Sequence, residues 1–256
     1  MEQVNESREN QTLKGTLAVG DEIEKLMVRL LLSQRLTQDC VFEQLMLAMA
    51  VRCLNYFRAT LILSRQGLGQ SASGCVRSLI EQRWIFEAVA AEGTRDEALL
   101  RLQKHDEYNR KKGCENLREL ESNERDQRIT DEALSKVETS LDVEAKYHRL
   151  KKWADLAKRN SEYLTTYAAL CSQSHPTIQA IESHLVFDDT GRVISVTAIP
   201  DSDSLPRDIL QACEVMIDVI AASPASWQSE DVVIGATELR HRMPKLWESV
   251  PDPFGN

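Results

Sequence analysis

Apolar residues between Asp39 and Arg65 recur at helical spacing: Phe42, Leu45, Met46, Met49, Cys53, Tyr56, Phe57, Thr60 and Leu61. Leu47, Val51 and Leu54 widen that stripe, which predicts a central helix. Gly67 or Gly69 then suits a left-handed helix end, and Ser71 or Ser73 suits the cap of a second helix to about Glu92. A third helix is predicted from Thr94 to about Arg128. Its nine basic and nine acidic residues read as an exposed face laced with ion pairs. Helix resumes between about Thr130 and Cys171, and again briefly from Pro176 towards Leu185.

The period then changes from helical to alternating. "LVFDDTGRVISVTAIP" sets β-branched residues on both sides of Asp188-Asp189-Thr190-Gly191, a hairpin signal near residues 186–199. An apolar helix from Leu205 to Ala222 follows, and the proline-containing end from 223 to 256 is expected to lie irregularly on the surface.

Proline placement supports the same layout. All seven prolines stand at or after Pro176. An interior proline costs a helix about 3 kcal/mol, so their absence before that point fits long helices joined by short turns. The expected fold class is therefore mainly all-α, a helical bundle with a small β-hairpin. A polar segment spans 1–20, one domain spans 21–222, and the tail follows.

Composition narrows the classes of function. A net charge of −9 disfavours wrapping nucleic acid through the overall field. No run reaches the roughly 18 apolar residues of a membrane span, and the polar, acidic N-terminus does not read as a targeting peptide. A cytoplasmic protein with no membrane role is expected. The six cysteines, Cys40, Cys53, Cys75, Cys114, Cys171 and Cys213, form no Cys-x-x-Cys pair and read as reduced, packed thiols. One segment breaks the acidic balance: Lys146, Arg149, Lys151, Lys152, Lys158 and Arg159 lie close together with Asp155 the only acid among them. A solvated helix face explains it, and a phosphate-contacting stripe of Lys151, Lys152, Lys158 and Arg159 is the minority alternative.

Candidate chemistry gathers in two places. On the helix Ser71–Glu92, Ala72, Cys75, Val76, Leu79, Phe86 and Ala90 make one apolar face. Gly74, Arg77, Glu81, Trp84 and Ala88 make a second, which is expected to meet another element. Arg77 and Glu81 read either as an intrahelical ion pair or as a pair orienting a ligand. Farther on, Tyr163, Tyr167, Cys171 and His175 recur every four residues and lead into "SQSHP", where Ser172 and Ser174 flank a helix stop and Pro176 restarts the chain. His175 is a helix-joint residue or an acid–base group near neutral pH. Ser172 lacks nucleophile-elbow glycines. A metal set of His175, His184 and Glu182 or Asp188 lacks ligand spacing, so neither metal nor cofactor is expected. Gly67 and Gly69 do not make a phosphate loop, because no strand precedes them.

"CVRSLIEQRWIFEAV" resembles the Arg-x-x-x-Glu helix of a bacterial family known as domain of unknown function 5677. "WADLAKRNSEYLTTYAALCSQSHPT" resembles its second signature of Trp, Tyr, Leu-Ser and His-Pro, with Cys171 standing between Leu170 and Ser172. The resemblance covers about residues 21–222. It implies a helical protein whose suspect residues are Arg77, Glu81, Tyr167, Ser172 and His175.

At fold level the layout is similar to the HEPN group, many of whose members are ribonucleases in bacterial defence or toxin systems. Their motif of Arg, four to six residues and His is absent here; Arg101 and His105 are separated by only three residues. Three readings follow. The first is an interaction or sensor module in stress or phage defence, with a protein partner or as a homodimer. The second is a metal-independent ribonuclease using Arg77 and His175, with RNA as partner. The third is small-molecule binding in a bundle pocket.

Overall fold

A computed structural model describes residues 2–34, 40–120, 149–174, 184–196 and 204–250, with the isolated positions 128, 131, 132 and 135. Helix α1 spans Glu2–Leu32, α2 Val41–Arg65, α3 Gly69–Ala90, α4 Arg95–Leu120 and α5 Leu150–Leu156. Helix α6 opens at Asn160–Glu162, passes through a π-helical turn at Tyr163–Tyr167 and closes as Ala168–Ser174. Strands β1 (Leu185–Phe187) and β2 (Val193–Val196) precede α7 (Leu205–Ala222), a 3₁₀ turn at Ala225–Trp227 and α8 (Glu230–Trp247). The fold is mainly α with one small antiparallel sheet, as the periodicity predicts.

Helix α7 is the core of the bundle. Pro206 lies in its first turn, where a missing N–H costs nothing. Beyond it Ile209, Leu210, Cys213, Met216, Ile217 and Ile220 are buried among α1, α2, α3 and α8. Helix α2 presents Met46, Ala50, Cys53, Leu54, Phe57 and Leu61 to that core. Leu54 alone of the widening residues is fully buried, while Val51 is exposed, so α2 is a one-faced helix and α7 takes the central place. By length and composition α2 is apolar enough to cross a membrane; here its inner face packs within the bundle.

Both ends depart from expectation. The polar opening is part of α1, whose Val19, Ile23, Leu26, Met27 and Leu30 recur at helical spacing and join the core. At Gly20 the α2 helix passes so close that an added Cβ would meet Leu61 Cδ2 at 2.6 Å. The expected irregular tail contains α8, with Val232, Ala236, Leu239 and Met243 buried. Proline count misled the reading there: Pro224 precedes the helix, and Pro244 lies near its end, where few helical bonds remain to be lost.

Local signals account for the turn between α2 and α3. Gly67 adopts φ +70, with Leu68 N–H bonded to Leu63 O at 2.9 Å and Gly67 N–H to Ser64 O at 3.0 Å, a Schellman end. Helix α3 then starts two residues earlier than expected, at Gly69, so neither Ser71 nor Ser73 caps it. Ser73 instead donates to Gly69 O at 3.1 Å and to the buried Asp208 carboxylate of α7.

On α4, Arg101–Glu97 and Arg110–Asp106 bear out the ion-paired exposed face. The hairpin pairs Leu185 with Val196 and Val186 with Ser195. Asp188 Oδ1 closes its turn by accepting the Thr190 and Arg192 N–H groups, each at 2.9 Å. His175, Pro176 and the expected short helix after them lie outside the described residues, as does Glu182.

A candidate functional site on helix α3

Helix α3 is apolar on two sides, and α5 and α6 cover the second one. Trp84 and Ala88 are fully buried there. The π-helical turn of α6 stacks Tyr163 on Tyr167, with ring centroids 5.6 Å apart and 16° between planes. Trp84 meets Tyr167 at 5.0 Å and Tyr163 at 6.0 Å. A π turn widens the helix by one residue and is uncommon outside sites where the chain has a particular side chain to place.

The predicted cluster assembles around this aromatic seam. Tyr167 donates its hydroxyl to Glu81 Oε1 at 2.6 Å. Arg77 Nε is 3.3 Å from the same oxygen, and the guanidinium lies 6.0 Å from the Tyr167 ring centroid. Burial, and then the Glu81 bond, push the Tyr167 hydroxyl pKa well up, so it stays a proton donor at physiological pH. Arg77, Glu81 and Tyr167 therefore meet in space. Ser172 is on the next turns of α6 and donates to Ala169 O at 2.7 Å, a local helical bond. His175 lies outside the described residues.

A second, deeper cluster lies one and a half turns along α3, and sequence reasoning missed it. Arg83 is buried, its side chain 2% exposed. Its Nη1 donates to Asp218 Oδ2 of α7 at 2.9 Å, and its Nη2 to Glu162 Oε2 of α6. Its Nε faces Glu87 Oε2 at 3.9 Å, within ion-pair reach though too far for a hydrogen bond. The Trp84 indole N–H adds a bond to Glu162 Oε2 at 2.7 Å. Arg159 closes the ring by donating to Glu87 Oε1 at 2.6 Å and to Asp218 Oδ2 at 3.0 Å. Arg240 of α8 reaches Asp218 Oδ1 at 2.6 Å. Three guanidiniums from three parts of the chain thus converge on one aspartate.

The turn between α5 and α6 explains how Arg159 arrives there. Lys158 takes φ +57, the left-handed conformation that glycine usually supplies. Arg159 N–H then bonds Ala154 O at 2.7 Å and Lys158 N–H bonds Asp155 O at 3.1 Å, a second Schellman end. This bend turns Arg159 inward, towards Glu87 and Asp218. The basic segment is consequently divided. Arg159 belongs to the buried cluster, Lys151 pairs with Asp155 at 3.1 Å on the surface, and Lys158 forms the bend.

Both clusters are anchored on the α3 stretch that carries the Arg-x-x-x-Glu signature, and a family model spans that stretch from residue 43 to residue 192. The chain belongs to the DUF5677 family, a family of unknown function. The DUF5677 segment runs from Glu43 in α2 to Arg192 in the hairpin turn, and so contains Arg77, Glu81, Arg83, Glu87, Arg159, Glu162 and Tyr167. Asp218 and Arg240 lie beyond it, on α7 and α8. No curated protein and no solved structure matches the chain. The missed signal was present in the sequence of the DUF5677 segment itself: Arg83 and Glu87 repeat the Arg-x-x-x-Glu spacing six residues after Arg77 and Glu81.

Cys53 and Cys213 are buried thiols, and Cys75 is half-buried. Burial pushes Cys53 up to about 12 and raises Cys75 and Cys213 as well, so none of the three is a thiolate nucleophile at neutral pH.

Proposed function

We propose that this protein is a cytoplasmic, non-enzymatic interaction or sensor module of the DUF5677 family, in which the polar groups of α3 fix the geometry of the helices around it. The observation that carries this reading is the engagement of those groups with neighbouring elements. Tyr167 of α6 is bonded to Glu81, and Arg83 is bonded to Glu162 and Asp218. A catalytic arginine needs its guanidinium directed at a substrate phosphate. Here Arg77 is only 23% exposed and is ion-paired to Glu81, while Tyr167, held protonated, offers no base.

The ribonuclease reading supplies the test. Purified protein is incubated with single-stranded and structured RNA over a wide range of protein concentration. We expect no cleavage, together with a lowered melting temperature for Arg77→Ala. Cleavage that is lost in His175→Ala without any fall in melting temperature would establish the nuclease instead.

A further inference from the structure

Two anchors on α6 are five residues apart, yet both point to α3. Glu162 accepts from Arg83 and from the Trp84 indole N–H, and Tyr167 donates to Glu81. A regular α-helix turns about 100° per residue, so five residues leave two side chains about 140° apart. Both could not then face one neighbouring helix. The π-helical turn Tyr163–Tyr167 resolves this by carrying one surplus residue. Tyr167 thereby stands where the fourth residue of an α-helix would stand, about 40° from Glu162. The buried Leu170 is carried inward by the same shift, while Leu164 in the turn itself points to solvent, 68% exposed.

A surplus residue can sit in more than one place along a helix. Were it moved to the C-terminal end of α6, Asn160 to Ser174 would form one continuous α-helix. Each residue after Tyr163–Tyr167 would then rotate by about 100° against α3. Thr166 would take the place of Tyr167, and Tyr167 the exposed place of Ala168. Ala169 would take the place of Leu170, and Leu170 the half-buried place of Cys171. The cost is apolar: a tyrosine ring and a leucine leave buried positions, and threonine and alanine replace them. The π-helical register is therefore the ground state. Arg159 and Glu162 precede the turn, so the contacts they make with Glu87, Arg83 and Trp84 would stay. The shift opens the rim cluster and spares the buried one.

We propose that α6 is a two-register switch. The π turn is its closed state, latched by Tyr167 on Glu81 and against the rings of Trp84 and Tyr163. The open state is the continuous α-helix, with Tyr167 turned out and Ala168–Ser174 rotated on α3. Such a latch regulates the helix geometry assigned above to the polar groups of α3, and so rests on the module reading. It gives the two Arg-x-x-x-Glu pairs separate tasks. Arg83 and Glu87 hold the fixed end of α6 through Glu162 and Arg159, and Glu81, paired with Arg77, holds the moving end through Tyr167.

The test is methyl relaxation-dispersion NMR on the full chain, which detects microsecond-to-millisecond exchange with a minor state. Exchange is expected at the Ala169 and Leu170 methyls. Tyr167→Phe weakens the latch and is expected to raise the open population roughly 5-fold or more, the scale of a lost hydrogen bond. Deletion of Leu164 removes the surplus residue and leaves Glu162 and Tyr167 four apart in a continuous α-helix. That variant is expected to keep the wild-type Trp84 indole N–H resonance, to melt no lower than wild type, and to lose the exchange. Static Ala169 and Leu170 methyls in the unaltered chain, or an unchanged open population in Tyr167→Phe, would overturn the proposal. So would exchange that survives the deletion, or a Trp84 signal that the deletion displaces. The module reading fails separately, on RNA cleavage.

Discussion

Helix α3 carries the same spacing twice with opposite consequences. Arg77–Glu81 and Arg83–Glu87 are both Arg-x-x-x-Glu pairs, six residues apart on one helix. The first stands at the rim, with Arg77 23% exposed, and its geometry is that of an ordinary i,i+4 pair joined by a tyrosine. The second faces inward, where Arg83 is 2% exposed and its pair with Glu87 is the loosest of its contacts. What binds Arg83 firmly comes from elsewhere: Glu162 on α6 and Asp218 on α7. Sequence spacing therefore says where two side chains can meet on one helix. It says nothing of which neighbours burial will bring to them, and those neighbours set the energy.

The sharpest way to break this comparison is Arg83→Met. Methionine fills much of the volume but leaves Glu162 and Asp218 without their buried cation. Burial lowers the Arg83 pKa, yet a guanidinium remains charged, so its loss removes a full compensating charge. Breaking a buried ion pair at one partner costs about 3–5 kcal/mol. In a chain of this size that corresponds to a fall in melting temperature on the order of 10 °C. Urea unfolding should show it, and Arg83→Met combined with Glu162→Gln should recover part of the loss, since one stranded carboxylate is then neutral. An Arg83→Met protein as stable as Arg77→Ala would abolish the distinction drawn between the two pairs.

Asp218→Asn probes the same cluster from the other side. Asp218 accepts from Arg83, Arg159 and Arg240, and asparagine retains one acceptor oxygen while withdrawing the charge. A loss of about 2–3 kcal/mol is expected by chemical denaturation, the scale of a charge-assisted hydrogen bond in a shielded site. Arg83→Met is expected to cost more, because Asp218 is 18% exposed and water can reach part of what asparagine gives up.

Tyr167→Phe moves to the rim cluster and removes one oxygen. The ring keeps its stacking with Tyr163 and Trp84, so the expected cost is that of the hydroxyl's bonds to Glu81 and Cys171, about 1–2 kcal/mol. A loss as large as that of Asp218→Asn would mean that the rim is energetically part of the buried cluster.

The difference between the two pairs also explains what could be read in advance. Helical periodicity located α2, α3 and α7 to within a few residues, because one apolar stripe per helix leaves a direct trace in sequence. The Tyr163–Tyr167 stripe and the Arg77–Glu81 pair were legible for the same reason: each is a spacing within a single helix. Arg83 was passed over because a charged residue on an amphipathic helix is ordinarily solvated, and its partners are 79 and 135 residues away in the chain. Arg159 stands in a basic series, and nothing in the run of lysines announces that Lys158 adopts φ +57 and reverses its neighbour. Helix α8 was hidden by prolines, which mark helix interruption on average, yet here lie before its start and near its end.

The smallest effect is the one that isolates the comparison best. A double-mutant cycle on Arg77→Ala and Glu81→Ala measures the coupling of the rim pair alone, and exposed or half-exposed i,i+4 pairs couple by about 0.3–0.5 kcal/mol. The Arg83–Glu87 cycle should give a value of the same order, despite the greater burial, because their 3.9 Å separation makes Glu87 a minor partner of Arg83. The Arg83–Glu162 and Arg83–Asp218 cycles should give several times more. Equal coupling in all four cycles would show that burial spreads the energy evenly over the cluster. The expected ordering instead assigns it to the contacts between helices, and leaves the shared spacing on α3 as the lesser part of both sites.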